Sequence, residues 1–168
     1  LVATYLTGIL DRDLHVWLDG YLGPLREVLG LRVTELAPTG APLRLEGEVA
    51  GAAQVWQDVV ELAGAQVVST FADGVAAGGA AVTRHPHGRG VAWYVATAPA
   101  PVVLDELVDR WLDEAGVAAL LTRAVTGVEA VRRGDLLFLL NHTPEAVELP
   151  LVGGPVTVGG YGAVVHPV

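Results

Sequence analysis

The side chains able to do chemistry are few, and their spacing sets them apart from one another. The most polar cluster is Arg84-His85-Pro86-His87, followed by Gly88-Arg89-Gly90. Two histidines at i and i+2 can share a metal ion, but no third ligand is specified and both flanking residues are cationic, which repels another cation. The expectation is a basic hairpin tip. Asp11-Arg12-Asp13-Leu14-His15 offers a D-x-D-x-H spacing, yet it lacks the glycine and the distal glutamate of a calcium loop. It reads as a solvated turn. Ser69 is the single serine, in a strand-like run without a G-x-S-x-G elbow. There is no cysteine, so thiolate nucleophiles, thiolate metal sites and disulfides are excluded. Gly88-Arg89-Gly90 lies between two strand-like runs and is no phosphate-binding loop. Asn141-His142-Thr143 matches a glycosylation sequon and Arg133-Gly134-Asp135 an adhesion tripeptide. Both are short matches in turns and receive no function. A glycosidase needs two carboxyl groups roughly 5 to 9.5 Å apart in a sugar-sized cleft, and sequence spacing nominates no such pair. The chain is therefore expected to hold no catalytic residue, no cofactor site and no metal site.

The elements that would position these side chains can be read in order. LVATYL (Leu1 to Leu6) has the apolar, β-branched character of a buried strand. Gly23 to Gly30 reads as a short helix, with Pro24 at its first position and Gly30 at a left-handed C-terminus. Leu31 to Leu36 and Leu43 to Val49 alternate with period two, as antiparallel strands with one wet face do. Gln54 to Leu62 aligns Val55, Gln57 and Val59 in strand register, and Val55, Val59 and Leu62 in helix register; strand is preferred. Gln66 to Phe71 is a clearer strand. Ala80 to His85 and Val91 to Thr97 form a hairpin about His87-Gly88-Arg89-Gly90, with both glycines suited to positive φ and Val91, Trp93 and Val95 on one packed face. Val102 to Ala115 is the strongest helix: Leu104, Leu107, Val108, Trp111 and Leu112 make an apolar stripe, and Gly116 closes it. After Thr122 the pattern becomes strand and turn only. Gly127 to Arg132, Leu136 to Asn141, Ala146 to Leu151 and Ala163 to His166 alternate with turns that include Val152-Gly153-Gly154-Pro155, an all-β signature. A boundary is expected near Leu121 to Thr126.

Composition bounds the partners. In 168 residues, 52% are hydrophobic, enough for a sizeable core. No run approaches the roughly 20 apolar residues of a membrane span, and the opening LVATYLTGILDRD lacks a basic signal-peptide start, so neither membrane insertion nor secretion is expected. The net charge of −9 argues against nucleic acid, whose phosphates require clustered cations. All ten basic residues are arginine, a compositional bias without mechanistic content. The chain has no methionine and opens on a strand-like run, so an internal or C-terminal piece of a longer polypeptide is expected.

Several stretches together resemble one family. Ala81-Val82-Thr83-Arg84, Gly88-Arg89-Gly90 and Ala92-Trp93-Tyr94-Val95-Ala96-Thr97 look like the trimerisation domain of family 42 glycoside hydrolases, the bacterial β-galactosidases. Tyr5-Leu6-Thr7-Gly8-Ile9-Leu10-Asp11 and the run from Asp19 to Gly30 resemble the same domain. Gly127-Val128-Glu129-Ala130-Val131-Arg132-Arg133 and Phe138-Leu139-Leu140-Asn141-His142-Thr143 resemble the family's small C-terminal β-domain. Asp73 to Ala80 departs from the pattern: it lacks the aromatic residues and the proline expected before Ala81.

The resemblance implies an α/β fold for residues 1–121, an amidotransferase-like, flavodoxin-like trimerisation domain that is N-terminally incomplete, followed by a small antiparallel all-β domain over residues 122–168. It implies a homotrimer, and an N-terminal (β/α)8 barrel that carries the two catalytic glutamates of a retaining β-galactosidase. A barrel of about 250 residues cannot fit in this chain, so no catalytic role passes to any residue here. The localisation expected is cytoplasmic, which the absence of cysteine permits. Two alternatives stand beside this reading. One is a carbohydrate-binding β-module with Trp93 or Tyr161 as a sugar platform. The other is a free-standing amidotransferase-like domain, against which the missing cysteine speaks.

Overall fold

The computed structural model describes residues 1–121, 125–151 and 153–167. The chain forms two compact units, Leu1–Trp111 and Leu112–Val168. The expected boundary falls partly on residues 122–124, outside the described residues.

The first unit is mainly β. Its strands are β1 (Val2–Thr4), β2 (Leu31–Pro38), β3 (Leu43–Gly47), β4 (Gly51–Gln54), β5 (Trp56–Leu62), β6 (Gln66–Phe71), β7 (Ala80–His87), β8 (Gly90–Val95) and β9 (Ala98–Pro99). A seven-stranded sheet runs in the order β1-β8-β7-β6-β3-β4-β9, and β2 and β5 form a separate ribbon. Only the β1–β8 pair is parallel among these pairings. Repeated βαβ crossovers, the hallmark of a doubly wound α/β fold, are not seen among the described residues. Hairpin-like antiparallel pairing dominates instead, because short turns join most of these strands.

The β7–β8 hairpin closes more tightly than expected. His87 pairs with Gly90, leaving Gly88-Arg89 as the loop; Gly88 takes φ 57 and Gly90 enters the strand. Ala92, Trp93, Tyr94 and Val95 are all buried, so β8 is covered on both faces, where alternation predicted one. Trp93 meets Trp111 edge-on at 6.3 Å between ring centroids, while Tyr94 reaches Asp58 of β5.

The short helical segment has a 3-10 turn at Gly23–Leu25 and then α1 (Arg26–Leu29), closed by Gly30 at φ 64. Gly30 is required twice over: for that left-handed φ, and because a Cβ there would lie 2.6 Å from the His85 ring. In β2, Leu31 and Val33 are buried as alternation demands. A register shift between Val33 and Glu35 then turns Glu35 out to solvent, as a bulge does. Val55 is set apart from the expected Val55/Gln57/Val59 face: it takes φ 71 ahead of β5 and is exposed.

The main helix, α2 (Pro101–Glu114), forms where predicted, and Gly116 at φ 65 follows it. Its buried face is a correction. Val103 and Leu107 are buried, whereas Leu104, Val108 and Leu112 remain 37–42% exposed. The helix is rotated by about one residue, roughly 100°, from the stripe that gathers the most apolar positions.

The second unit contains the last turn of α2 and five strands: β10 (Val128–Arg133), β11 (Leu136–Asn141), β12 (Val147–Leu151), β13 (Gly154–Val158) and β14 (Ala163–Pro167). They form a three-stranded sheet β10-β11-β14 and a ribbon β12–β13, all antiparallel. Its core is Leu137, Leu139, Leu149, Leu151 and Val158. Strand β13 lies where a Gly-Gly-Pro turn was expected. Pro155 lacks an N–H but is tolerated in a two-stranded ribbon, where one side has no partner strand to bond. No helix among the described residues is long and apolar enough to cross a membrane.

Candidate functional site

The structure disperses the residues that sequence singled out. His85 turns inward, its Nδ1 3.0 Å from the Val28 carbonyl, while His87 and Arg89 at the tip are exposed. In the D-x-D-x-H turn, Asp11 Oδ1 accepts from the Asp13 and His15 amides at 2.8 and 2.9 Å. That carboxylate caps its own turn. Among the described residues, no group of three His, Asp or Glu is placed to hold a metal ion. Ser69 is buried, its hydroxyl donating to the Val49 carbonyl, so it is no accessible nucleophile. Arg132 closes the Arg133-Gly134-Asp135 turn through the Gly134 carbonyl. Trp93 is buried against Trp111 and cannot serve as a sugar platform. Tyr161 is exposed, at φ 51 in a turn.

Asn141 does something other than its sequon suggests. It is 2% exposed. Its Nδ2 donates toward the carbonyls of Glu145 at 2.6 Å, Gly159 at 3.1 Å and Val158 at 3.3 Å. Its Oδ1 accepts from the Thr143 amide and hydroxyl at 2.9 and 2.7 Å. The amide ties three segments of the second unit together, and no glycan can reach it.

Sequence reasoning missed the one buried acid of the first unit. Asp58 on β5 is fully buried. Tyr94 Oη donates to its Oδ2, and Trp56 Nε1 donates to its Oδ1 at 2.7 Å. Tyr5 stacks on Trp56 at 6.2 Å. Burial raises the Asp58 pKa to about 6, and the two neutral donors pull in the opposite direction without restoring the usual value. The Tyr94 phenol is pushed above its ordinary range, first by burial and then by the adjacent carboxylate. The pair can hold and release a proton, but both groups are sealed from solvent and cannot touch a substrate. Beside it, the buried Gln57 donates to the Asp73 carbonyl and accepts from the Val75 amide, both at 2.9 Å. The only sequence signal for this cluster was a polar pair, Gln57-Asp58, ahead of the apolar Val59-Val60 in the same strand.

Two observations remain: an interior organised around packing and hydrogen bonding, and exposed apolar side chains between Leu6 and Leu18. Comparison with known proteins fits both. The family model described as the β-galactosidase trimerisation domain matches residues 1–118. The model described as the β-galactosidase C-terminal domain matches residues 127–166. A β-galactosidase of an Arthrobacter species is 38% identical over 164 residues, covering 95% of this chain and 24% of that protein. The β-galactosidase LacZ of Heyndrickxia coagulans is 40% identical, covering 85% of this chain and 22% of that protein. Among solved structures, the cold-adapted β-galactosidase from Rahnella sp. R3 superposes with a TM-score of 0.87 at 26% identity, over 99% of this chain and 28% of that one. That from Bacillus circulans sp. alkalophilus gives 0.86 at 25% identity, over 98% and 28%. The chain spans about a quarter of the length of the curated relatives it matches. By its two matched domains and their order, the chain belongs to the family 42 glycoside hydrolases, as the trimerisation and C-terminal domains of a β-galactosidase.

Proposed function

We propose that this chain is the non-catalytic oligomerisation and C-terminal β region of a longer bacterial β-galactosidase. In that parent, terminal β-D-galactosides are hydrolysed with retention by two glutamates of an N-terminal (β/α)8 barrel, and the present region holds three copies together. The observation that carries the reading is the trimerisation-domain match over residues 1–118, joined to coverage of a quarter of each relative. The interior adds support: the only buried acid among the described residues, Asp58, faces a phenol and an indole. Within the same proposal, residues 1–121 form an N-terminally incomplete, amidotransferase-like and flavodoxin-like domain, and residues 122–168 a separate C-terminal β-domain. The parallel β1–β8 pair at the sheet edge is the feature that supports a flavodoxin-like ancestry. A cytoplasmic location accords with the missing cysteines.

The test is hydrolysis of a chromogenic galactoside by the 168-residue chain alone. No turnover above buffer is expected, and hydrolysis at a rate typical of enzymes, about 1 per second or more, overturns the reading. A sugar-binding reading retains one support, the exposed Tyr161. Saturable heat on titration with galactose, abolished by Tyr161→Ala, would favour it.

A further inference from the structure

Between β1 and the 3-10 turn, the chain makes an arm, Tyr5 to Leu22, that is anchored by the buried Leu22 yet leaves Leu6, Leu10, Leu14, Val16 and Leu18 exposed. Its tip is fixed by the Asp11 carboxylate and by backbone bonds from Asp11 to the His15 carbonyl at 2.8 Å and from Trp17 to the Ile9 carbonyl at 3.2 Å. Its base is fixed by Leu22 N–H on the Gly8 carbonyl, Tyr21 N–H on the Val33 carbonyl, and Arg26, which donates to the Gly20 and Tyr21 carbonyls. Leu6 and Leu14 hold left-handed φ of 65° and 64°, a conformation unfavourable for a residue with a β-carbon. Leu14 is 76% exposed and Leu18 99%, with Leu6, Leu10 and Val16 about half exposed beside them. Five exposed apolar side chains on one short, preordered segment, with Leu14, Val16 and Leu18 lining a common hollow, mark a contact with another macromolecule.

The geometry points to a second copy of this chain as the occupant: we propose that the arm is one half of the subunit contact, and that the β7–β8 hairpin tip of the neighbouring copy is the other. Charge selects this partner. From Asp11 to Asp19 the arm carries three carboxylates against one guanidinium and one imidazole, while from Arg84 to Arg89 the hairpin has no carboxylate, with His87 and Arg89 exposed at its tip and His85 turned inward. The other apolar stripe of the first unit, Leu104 and Val108 on α2, is flanked by Asp105, Glu106 and Asp109 and would meet the arm with like charge. Two different surfaces of one chain, arm and tip, make a heterologous contact, the kind that closes into a ring. The assignment rests on the oligomeric role proposed above and names its surface.

The experiment is sedimentation velocity on the full-length polypeptide that carries this chain, as wild type and as four variants: Leu14→Glu/Leu18→Glu, Asp19→Arg, Arg89→Asp, and the last two combined. Circular dichroism establishes that each is folded. Wild type is expected to sediment as a trimer. The double glutamate variant is expected to weaken association by about a hundredfold, the effect of losing central interface anchors. Each charge reversal is expected to weaken it about tenfold, and the combined reversal to recover most of that loss. A folded double glutamate variant that stays trimeric overturns the arm assignment and leaves the oligomeric role standing. Combined reversal without recovery overturns the hairpin tip as its partner. A monomeric wild type at all concentrations overturns the oligomeric role itself.

Discussion

Asp58 and Asn141 occupy comparable places in the two units and solve the same problem differently. Each is a polar side chain without access to water, lodged among strands and bonded to other segments. Asn141 is a neutral amide whose donors and acceptor are matched by three carbonyls, an amide and a hydroxyl. Asp58 is a carboxyl group whose donors, Trp56 and Tyr94, are both neutral. Hydrogen bonding satisfies its oxygens but not its charge, so burial still favours the protonated form. The second unit is therefore held by a device indifferent to pH, and the first by one that is not.

Converting the neutral device into a charged one breaks the comparison hardest. Asn141→Asp places an anion against three carbonyl oxygens. Stability of the second unit at pH 7 is expected to fall by about 4 kcal/mol, and to recover partly near pH 4, where a protonated carboxyl can donate again. Hydrogen exchange of β11 and β12 amides against pH reads this directly. A loss below about 1 kcal/mol would mean that Asn141 is not the tie described.

The converse change sharpens it. The folded Asp58 pKa, about 6, lies above its ordinary 3.8. The folded state binds the extra proton, so the contribution of Asp58 to stability is full below about pH 4 and declines as pH rises through 6. The loss is about 3 kcal/mol in all. Asp58→Asn removes this decline. Chemical denaturation of the two proteins should give stabilities that converge near pH 4 and separate above pH 6, with the variant the more stable there. Parallel curves over that range would refute the assignment. The smallest effect is expected from Trp56→Phe, which deletes one donor. Above pH 7 it should cost about 1.5 kcal/mol, the worth of a bond to a charged acceptor. Below pH 5, where the carboxyl is neutral, the cost should shrink by about half.

How much of this was legible in the sequence differs by element. The hairpin around Gly88 and the helix ending at Gly116 announce themselves through glycine, proline and periodicity, which act locally. The rotation of α2 was not legible, because the buried stripe is chosen by what lies across from it, and Val103 packs in preference to the equally apolar Leu104. Strand β13 was hidden by Gly153-Gly154-Pro155, residues that usually end strands. Asp58 was invisible for a related reason: neighbouring strand residues point to opposite faces, so the pair Gln57-Asp58 gives no alternation to read, and Tyr94 and Trp56 cover the Asp58 side. The Asn141 motif was plain to read, but burial reversed its meaning. The lack of a catalytic constellation in the sequence and the family resemblance pointed the same way, since oligomeric contacts carry no short motif.

Gln57 has a consequence for how this region can change. Its amide clasps the backbone of Asp73 and Val75, and Gly74, at φ 81, sits so near that a Cβ would lie 2.3 Å from the Gln57 side chain. The path of the loop is thus written on the neighbouring strand and on the loop's own glycines, since Gly78 takes φ 79 and a Cβ on Gly79 would lie 2.9 Å from the Ala76 carbonyl oxygen. Within the loop the side chain of Val75 is 68% exposed, and only its backbone is held by Gln57. Substitutions of the Val75 side chain can accumulate there while the sheet beneath stays the same, whereas a side chain added at Gly74 or Gly79 would force the loop off its path.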